Sequence, residues 1–187
     1  MTDLSDERVR DGGGLLTLRL YQSKKPLISA CNGAAVGVGV TMQLPMDIRL
    51  ASENARYGFV FARRGIVPEA ASSWFLPRIV GMGHAMDIIL SGERVDADHA
   101  LRIGLVNRVY PADQLLARTL DYAQMLASRS PLSHRFAKEV MRRSVGMPLD
   151  EALRLESRSF YDVGLTEDLA EGTTSFREKR AASFKGR

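Results

Sequence analysis

The chain has 187 residues, 45% hydrophobic and 26% charged, enough for one cored domain with or without a helical appendage. Its net charge of +4 comes from 26 basic and 22 acidic residues that interleave; Arg63-Arg64 and Arg142-Arg143 are pairs, not a stripe, which argues against nucleic acid and favours a small anionic ligand. The single Cys31 excludes a disulfide framework and a cysteine metal site, no apolar run is long enough to span a membrane, and MTDLSDERVRDGGG does not read as a secretion signal, so a reducing cytoplasm is the expected setting.

Residues 1–13 are polar and run into Gly12-Gly13-Gly14, which predicts a loose start or an arm. Leu15 to Tyr21 fits a short strand or a short helix; Pro26 as a terminator favours the helix. Leu27 to Cys31 lacks polar alternation and is expected to be a strand covered on both faces. The glycine-rich turn that follows, Asn32 to Gly39, opens a helix running to Leu44, where Pro45 stops it. Such a turn leaves backbone amides without helical partners, aimed at an anion or at an oxygen that turns negative in a reaction. It serves equally well as a mere tight junction. It matches a dinucleotide fingerprint poorly and lacks the Lys-Ser/Thr of a phosphate loop.

Further on, Asp47 to Ser52 and Tyr57 to Phe61 read as strands, with a turn between them, and Arg63 to Pro68 as a loop. Ala70 to Val80 reads as a helix interrupted near Pro77. Met82 to Ser91 is a clear helix with Met86, Ile89 and Leu90 on one face. Asp96 starts a short helix closed by Gly104, and Leu105 to Tyr110 reads as a strand. From Pro111 the character changes to four amphipathic helices, 112–128, 131–144, 149–163 and 166–180, with Ser130 and Thr166 as N-caps. The division expected is therefore an α/β part, 1–110, and a helical part, 111–187. His84, His99 and His134 have no ligand-spaced partners, and Ser72 and Ser73 have no His-Asp arrangement, so no metal site and no serine nucleophile is expected. Asp47 is assigned no chemistry.

Five segments in order, KPLISACNGAAVGVG, MDIRLAS followed by ARYGF, GIVPEAASSWFLPRIVG, ILSGERVDADHALRIGLVNRVY and EGTTSFREKRAASFKG, resemble the crotonase family of CoA-thioester enzymes, the enoyl-CoA hydratases and isomerases. The resemblance implies a spiral of β-β-α units over 1–110 and a C-terminal helical oligomerisation region over 111–187, assembled as a trimer or a dimer of trimers. It implies an acyl-CoA or enoyl-CoA substrate, with coenzyme A entering as part of the substrate and no other cofactor. The family holds the thioester oxygen with a pair of backbone amides, one of which maps to Val38, flanked by Gly37 and Gly39. Ala34, Val36, Gly37, Phe61 and Trp74 are the implied substrate-binding residues; Trp74 is equally a core residue. Phe176, Lys179 and Phe184 match a segment that approaches the CoA adenine of a neighbouring subunit, or simply pack.

Two departures shape the expected chemistry. The two glutamates of family hydratases map to Thr41 and Phe61, neither of which transfers protons near neutral pH. The sequence also starts after the region that carries the other oxyanion amide, which leaves truncation, donation by another subunit or an incomplete hole. Glu69, in a Pro-Glu-x-x-Ser-Ser segment like that of some family isomerases, is the remaining candidate base. One carboxylate suffices to move a double bond between the alpha and gamma carbons, and the apolar neighbours Ile66, Val67, Ala70, Ala71, Trp74 and Phe75 would raise its pKa. Its competing role is to cap the following helix. One-base isomerisation, hydration by Glu69 with a bound water, and a non-catalytic acyl-CoA-binding or assembly subunit are the readings in play.

Overall fold

Residues 11–187 are described by a computed structural model. They form two units, residues 11–23 with 27–119 and residues 24–26 with 120–187.

The first unit opens with α1, Gly12–Tyr21, not with a loose arm through Gly14; residues 1–10 of the expected arm lie outside the described residues. Three glycines enter a helix here because Asp11 caps it, its Oδ1 accepting from the Gly14 amide at 2.7 Å. The buried Thr17 hydroxyl then donates to the Ala70 carbonyl at 3.0 Å, fixing α1 to a bend 53 residues away.

Strand β1, Ile28–Cys31, is not covered on both faces. Ser29 and Cys31 are buried while Ala30 is exposed, so one face of the strand is covered and the other open. The glycine turn is also not a simple strand-to-helix junction. It contains β2, Ala34–Val36, before α2, Val38–Thr41, which is four residues long and does not reach Leu44. Gly37 between them has φ +57°, ψ −128°, a conformation that needs glycine. Past Thr41 the bonds tighten to Gln43 N→Val40 O and Leu44 N→Thr41 O, and the Gln43 side chain turns back to the Gly39 carbonyl.

The next strand pair repeats the pattern. β3, Ile48–Ser52, runs parallel to β1, with Ile28 opposite Ile48 and Cys31 opposite Ala51; the Asp47 carboxylate starts the ladder by accepting from the Leu27 amide at 2.8 Å. β4, Arg56–Gly58, runs parallel to β2. It stops short of the expected Phe61, because the Phe61 carbonyl is taken by the amides of Arg64 and Ile66 as the chain turns through the 3-10 segment Ala62–Arg64. α3, Ser72–Val80, runs through Pro77, and α4, Met82–Ser91, follows it. On α4, Ala85 and Ile88 are buried, whereas Met82, Met86 and Leu90 share an exposed face. Its end is marked by Gly92 at φ +61°, where a β-carbon would lie 2.8 Å from Cγ of Arg63.

β5, Arg94–Asp96, adds antiparallel to β4, a strand that periodicity did not reveal. Asp96 then caps α5, Ala97–Arg102, accepting from the His99 amide at 2.8 Å. β6, Arg108–Tyr110, pairs parallel with β3 and completes the sheet order β1-β3-β6 beside β2-β4-β5. Two successive β-β-α segments, each switching sheets, thus enclose a core that includes Tyr57, Phe59, Phe61, Leu76, Leu105 and Val106. The buried Arg49 guanidinium is absorbed by the carbonyls of Leu105 and Met46, each at 2.7 Å.

α6, Leu115–Ala127, carries the chain into the second unit. There α7, Pro131–Ser144, α8, Leu149–Gly164, and α9, Glu167–Glu178, follow in turn. Ser130 and Thr166 are N-caps, accepting from the Ser133 and Leu169 amides. The unit is closed by one carboxylate. Asp168, 3% exposed, accepts from the Ser130 hydroxyl at 2.7 Å and from the Lys185 and Gly186 amides. Burial opposes its charge, but these hydrogen bonds outweigh it and hold its pKa below the ordinary carboxylate range. A depressed folded pKa contributes stability that is present above the ordinary range and lost as pH falls through the depressed value. Asp168→Asn is therefore expected to speed hydrogen exchange at Lys185 and Gly186 by about tenfold or more, the worth of one hydrogen bond. The wild-type chain is expected to lose the same protection only in acid.

Candidate active site

Glu69 sits on a corner the backbone resists. Ala70 and Ala71, directly after it, both have positive φ, +52° and +57°, a region that side chains disfavour. The corner is held by the Thr17 hydroxyl on the Ala70 carbonyl and by the amide and hydroxyl of Ser72, which both donate to the Glu69 carbonyl, at 3.0 and 2.7 Å. α3 takes Ala71 as its N-cap, with no side chain bonded there, so the Glu69 carboxylate does not cap that helix. It turns elsewhere: Oε1 accepts from the buried Thr41 hydroxyl at 3.2 Å, and Oε2 stands over Gly13, where a β-carbon would lie 2.5 Å away. Asp11 Oδ1 is 3.0 Å from that same point.

This setting raises the Glu69 pKa. Partial burial is the largest cause; the Thr41 hydrogen bond opposes it, and the charge of Asp11 and a hydrogen bond with its carboxyl add to it. The side chain is half-buried, less than its apolar neighbours in sequence suggested, because Ile66, Val67 and Trp74 are themselves exposed, Val67 at 78%.

Thr41 also connects Glu69 to the glycine turn. Its hydroxyl lies 3.5 Å from the Val38 carbonyl, so one side chain touches both the carboxylate and the first turn of α2. Gly37 is the N-cap of that turn, and the Val38 and Gly39 amides open it with no acceptor available inside so short a helix. Val38 and Val36 are both exposed, and Ala34 is exposed on β2. Phe61 differs: at 2% exposure it is part of the core and presents almost no surface. Trp74, 41% exposed on α3, stands edge-on to Phe75 and Tyr21, with the Arg78 guanidinium 4.0 Å over its ring.

The structure thus brings Glu69, Thr41 and the Val38 turn together and leaves Phe61 in the interior. Three participants were not singled out from sequence as neighbours of Glu69: Asp11, Gly13 and Thr17. Aspartate before three glycines is a helix-start signal that was available. His84 and His99 face each other with ring centroids 6.4 Å apart, yet among the described residues no three His, Cys, Asp or Glu side chains converge as a metal site. In the second unit Phe176 is 84% exposed, Lys179 is the left-handed C-cap of α9, and the Phe184 ring packs toward Gly172.

Comparison with known proteins finds relatives over nearly the whole chain. The family described as Enoyl-CoA hydratase/isomerase matches residues 5–187. Enoyl-CoA hydratase ACTT3 of Alternaria alternata is 42% identical over 178 residues, covering 94% of this chain and 60% of its own length. The 2,3-dehydroadipyl-CoA hydratase of Escherichia coli (strain K12) is 40% identical over 172 residues, covering 92% of this chain and 68% of its own length. An enoyl-CoA hydratase structure from Bacillus anthracis superposes with a TM-score of 0.91 at 33% identity, covering 94% of this chain and 68% of that one. The chain therefore spans about three fifths to two thirds of the length of these relatives. Matched over nearly its whole length in sequence and in fold, with its β-β-α segments and helical C-terminal part, the chain belongs to the enoyl-CoA hydratase/isomerase family of crotonase-fold proteins.

Proposed function

We propose that the protein binds enoyl-CoA thioesters and moves their double bond, with Glu69 as the single base. The observation that carries this reading is the Glu69 carboxylate standing half-buried beside the glycine turn, bridged to it by Thr41. In the proposed cycle the thioester oxygen rests on the Val38 amide. Glu69 takes a proton from the gamma carbon, the C–H electron pair delocalises into a dienolate, and the amide stabilises the negative oxygen. Glu69 then returns the proton to the alpha carbon, or the reverse, so that no atom is gained or lost. The substrate brings its own coenzyme A, and the proposed setting is a reducing cytoplasm. Ala34, Val36 and Gly37 border the thioester in this reading, and Trp74 offers its open face to the acyl chain; Phe61 shapes the site from behind.

Hydration is the second reading, favoured by the names of the similar proteins, several of which are called enoyl-CoA hydratases. In that case Glu69 activates a water that adds to the beta carbon and returns its proton at the alpha carbon. Thr41 and Phe61 at the positions of the family's two glutamates argue for isomerisation instead.

The exposed Met141, Leu153, Phe160, Tyr161 and Leu165 leave the second unit with uncovered apolar surface, which supports self-association as a trimer or a dimer of trimers. Sedimentation at micromolar concentration is expected to show no monomer; a purely monomeric profile would refute the assembly.

Glu69→Gln is expected to lower the rate of double-bond migration by about a hundredfold or more, with the dissociation constant for the CoA thioester nearly unchanged. The readout is the absorbance of the conjugated thioester formed from a 3-enoyl-CoA; loss of that band from a 2-enoyl-CoA with a product heavier by one water would identify hydration instead. Because Glu69 acts as an anion and its pKa is raised, kcat/KM should fall on the acid side at a pH above that of an ordinary glutamate.

A further inference from the structure

We propose that Asp11 is a positioning residue for Glu69, the two carboxyl groups coming together over the bare α-carbon of Gly13 so that the proton Glu69 takes from the substrate is held between them. This inference rests on the reading of Glu69 as the base and adds a second acidic group to its machinery.

The geometry is specific. Asp11 is fixed before it meets Glu69, because as the cap of α1 its Oδ1 already accepts from the Gly14 amide at 2.7 Å. Glu69 is fixed on the other side by the Thr41 hydroxyl on Oε1 and by the strained corner at Ala70 and Ala71. Between them Gly13 supplies an absence: a β-carbon there would stand 2.5 Å from Glu69 Oε2, 2.9 Å from the Ala70 β-carbon and 3.0 Å from Asp11 Oδ1. Glycine at this position is what allows the carboxyl groups to approach.

Two carboxylate oxygens that lie 2.5 and 3.0 Å from one point repel each other when both are ionised, and a proton held between them removes the repulsion. The groups acting on Glu69 are Asp11 from α1 and Thr41 from α2; of these only Asp11 is ionisable, and its charge and hydrogen bond both favour protonated Glu69. For proton relocation this arrangement is useful. The proton that Glu69 takes from one carbon is held against the Asp11 oxygen until it passes to the other carbon. Asp11 touches no substrate; it acts through Glu69.

The test is Asp11→Asn, which keeps a good helix cap and removes the charge. Two readouts are taken on the same chain: the pH titration of the Glu69 side-chain carbon by NMR with labelled glutamate, and the pH profile of kcat/KM for double-bond migration. In the variant the Glu69 titration is expected to move to lower pH, and the acid limb of the rate profile to move with it. A Glu69 titration identical in the two proteins would overturn the proposal. A titration that moves while the rate profile stays still would uphold the shared proton and refute Glu69 as the base. As a second probe, Gly13→Ala is expected to displace Oε2 and lower kcat about tenfold or more, with KM less affected. An alanine variant with wild-type kcat would show that the carboxyl groups do not need the close approach.

Discussion

The hydrogen bond from the Thr17 hydroxyl to the Ala70 carbonyl is the constraint on which the site depends. Two successive alanines in the left-handed region cost about 1–2 kcal/mol each. Three hydrogen bonds, from Thr17 and twice from Ser72, each contribute about 1 kcal/mol, and the cost is roughly met. Without that corner the chain would pass from Pro68 into α3 with Glu69 free to swing toward solvent or fold back on the helix start. With it, the carboxylate is delivered to Thr41 and the glycine turn. A hydroxyl on one helix thereby sets the direction of a side chain on a loop more than fifty residues away.

The same economy runs through the rest of the first unit, where short segments are fixed by single polar side chains. Asp47 opens the β1–β3 ladder through the Leu27 amide, Asp96 starts α5, and Arg49 ties together the carbonyls of Met46 and Leu105. Strands of three to five residues contribute few ladder bonds of their own, so these fixed points decide where each begins. In the second unit Asp168 has the comparable task, gathering the start of α7 and the C-terminal residues onto one carboxylate.

Much of this was legible in the residues. The four late helices, the caps Ser130 and Thr166, the short helix begun by Asp96 and the strand at Ile48–Ser52 all follow from local chemistry, and the structure has each of them. What escaped was nonlocal. β2 and β5 are three residues long and exist because β4 lies beside them, so no period marks them. The same holds for Ala30, whose exposure depends on whether another element covers that face of the sheet rather than on its own apolar run. At the site, Pro68-Glu69 drew attention to the carboxylate that lies beside the glycine turn, but Thr41 appeared only as a glutamate lost, although its hydroxyl donates to Glu69. Asp11 was hidden by Gly12 to Gly14, since glycine runs suggest disorder unless the cap in front of them is weighed first.

One contact far from the carboxylates carries a lesson about how such a chain can drift over generations. The aliphatic stem of Arg63 lies across Gly92, leaving no volume for even a methyl group. Positions 63 and 92 are consequently not independent letters, yet a shorter side chain at 63 lifts only part of the bar, because the left-handed φ of +61° favours glycine at 92 in any case. Descendants of this sequence are expected to keep glycine at 92 even where position 63 becomes smaller.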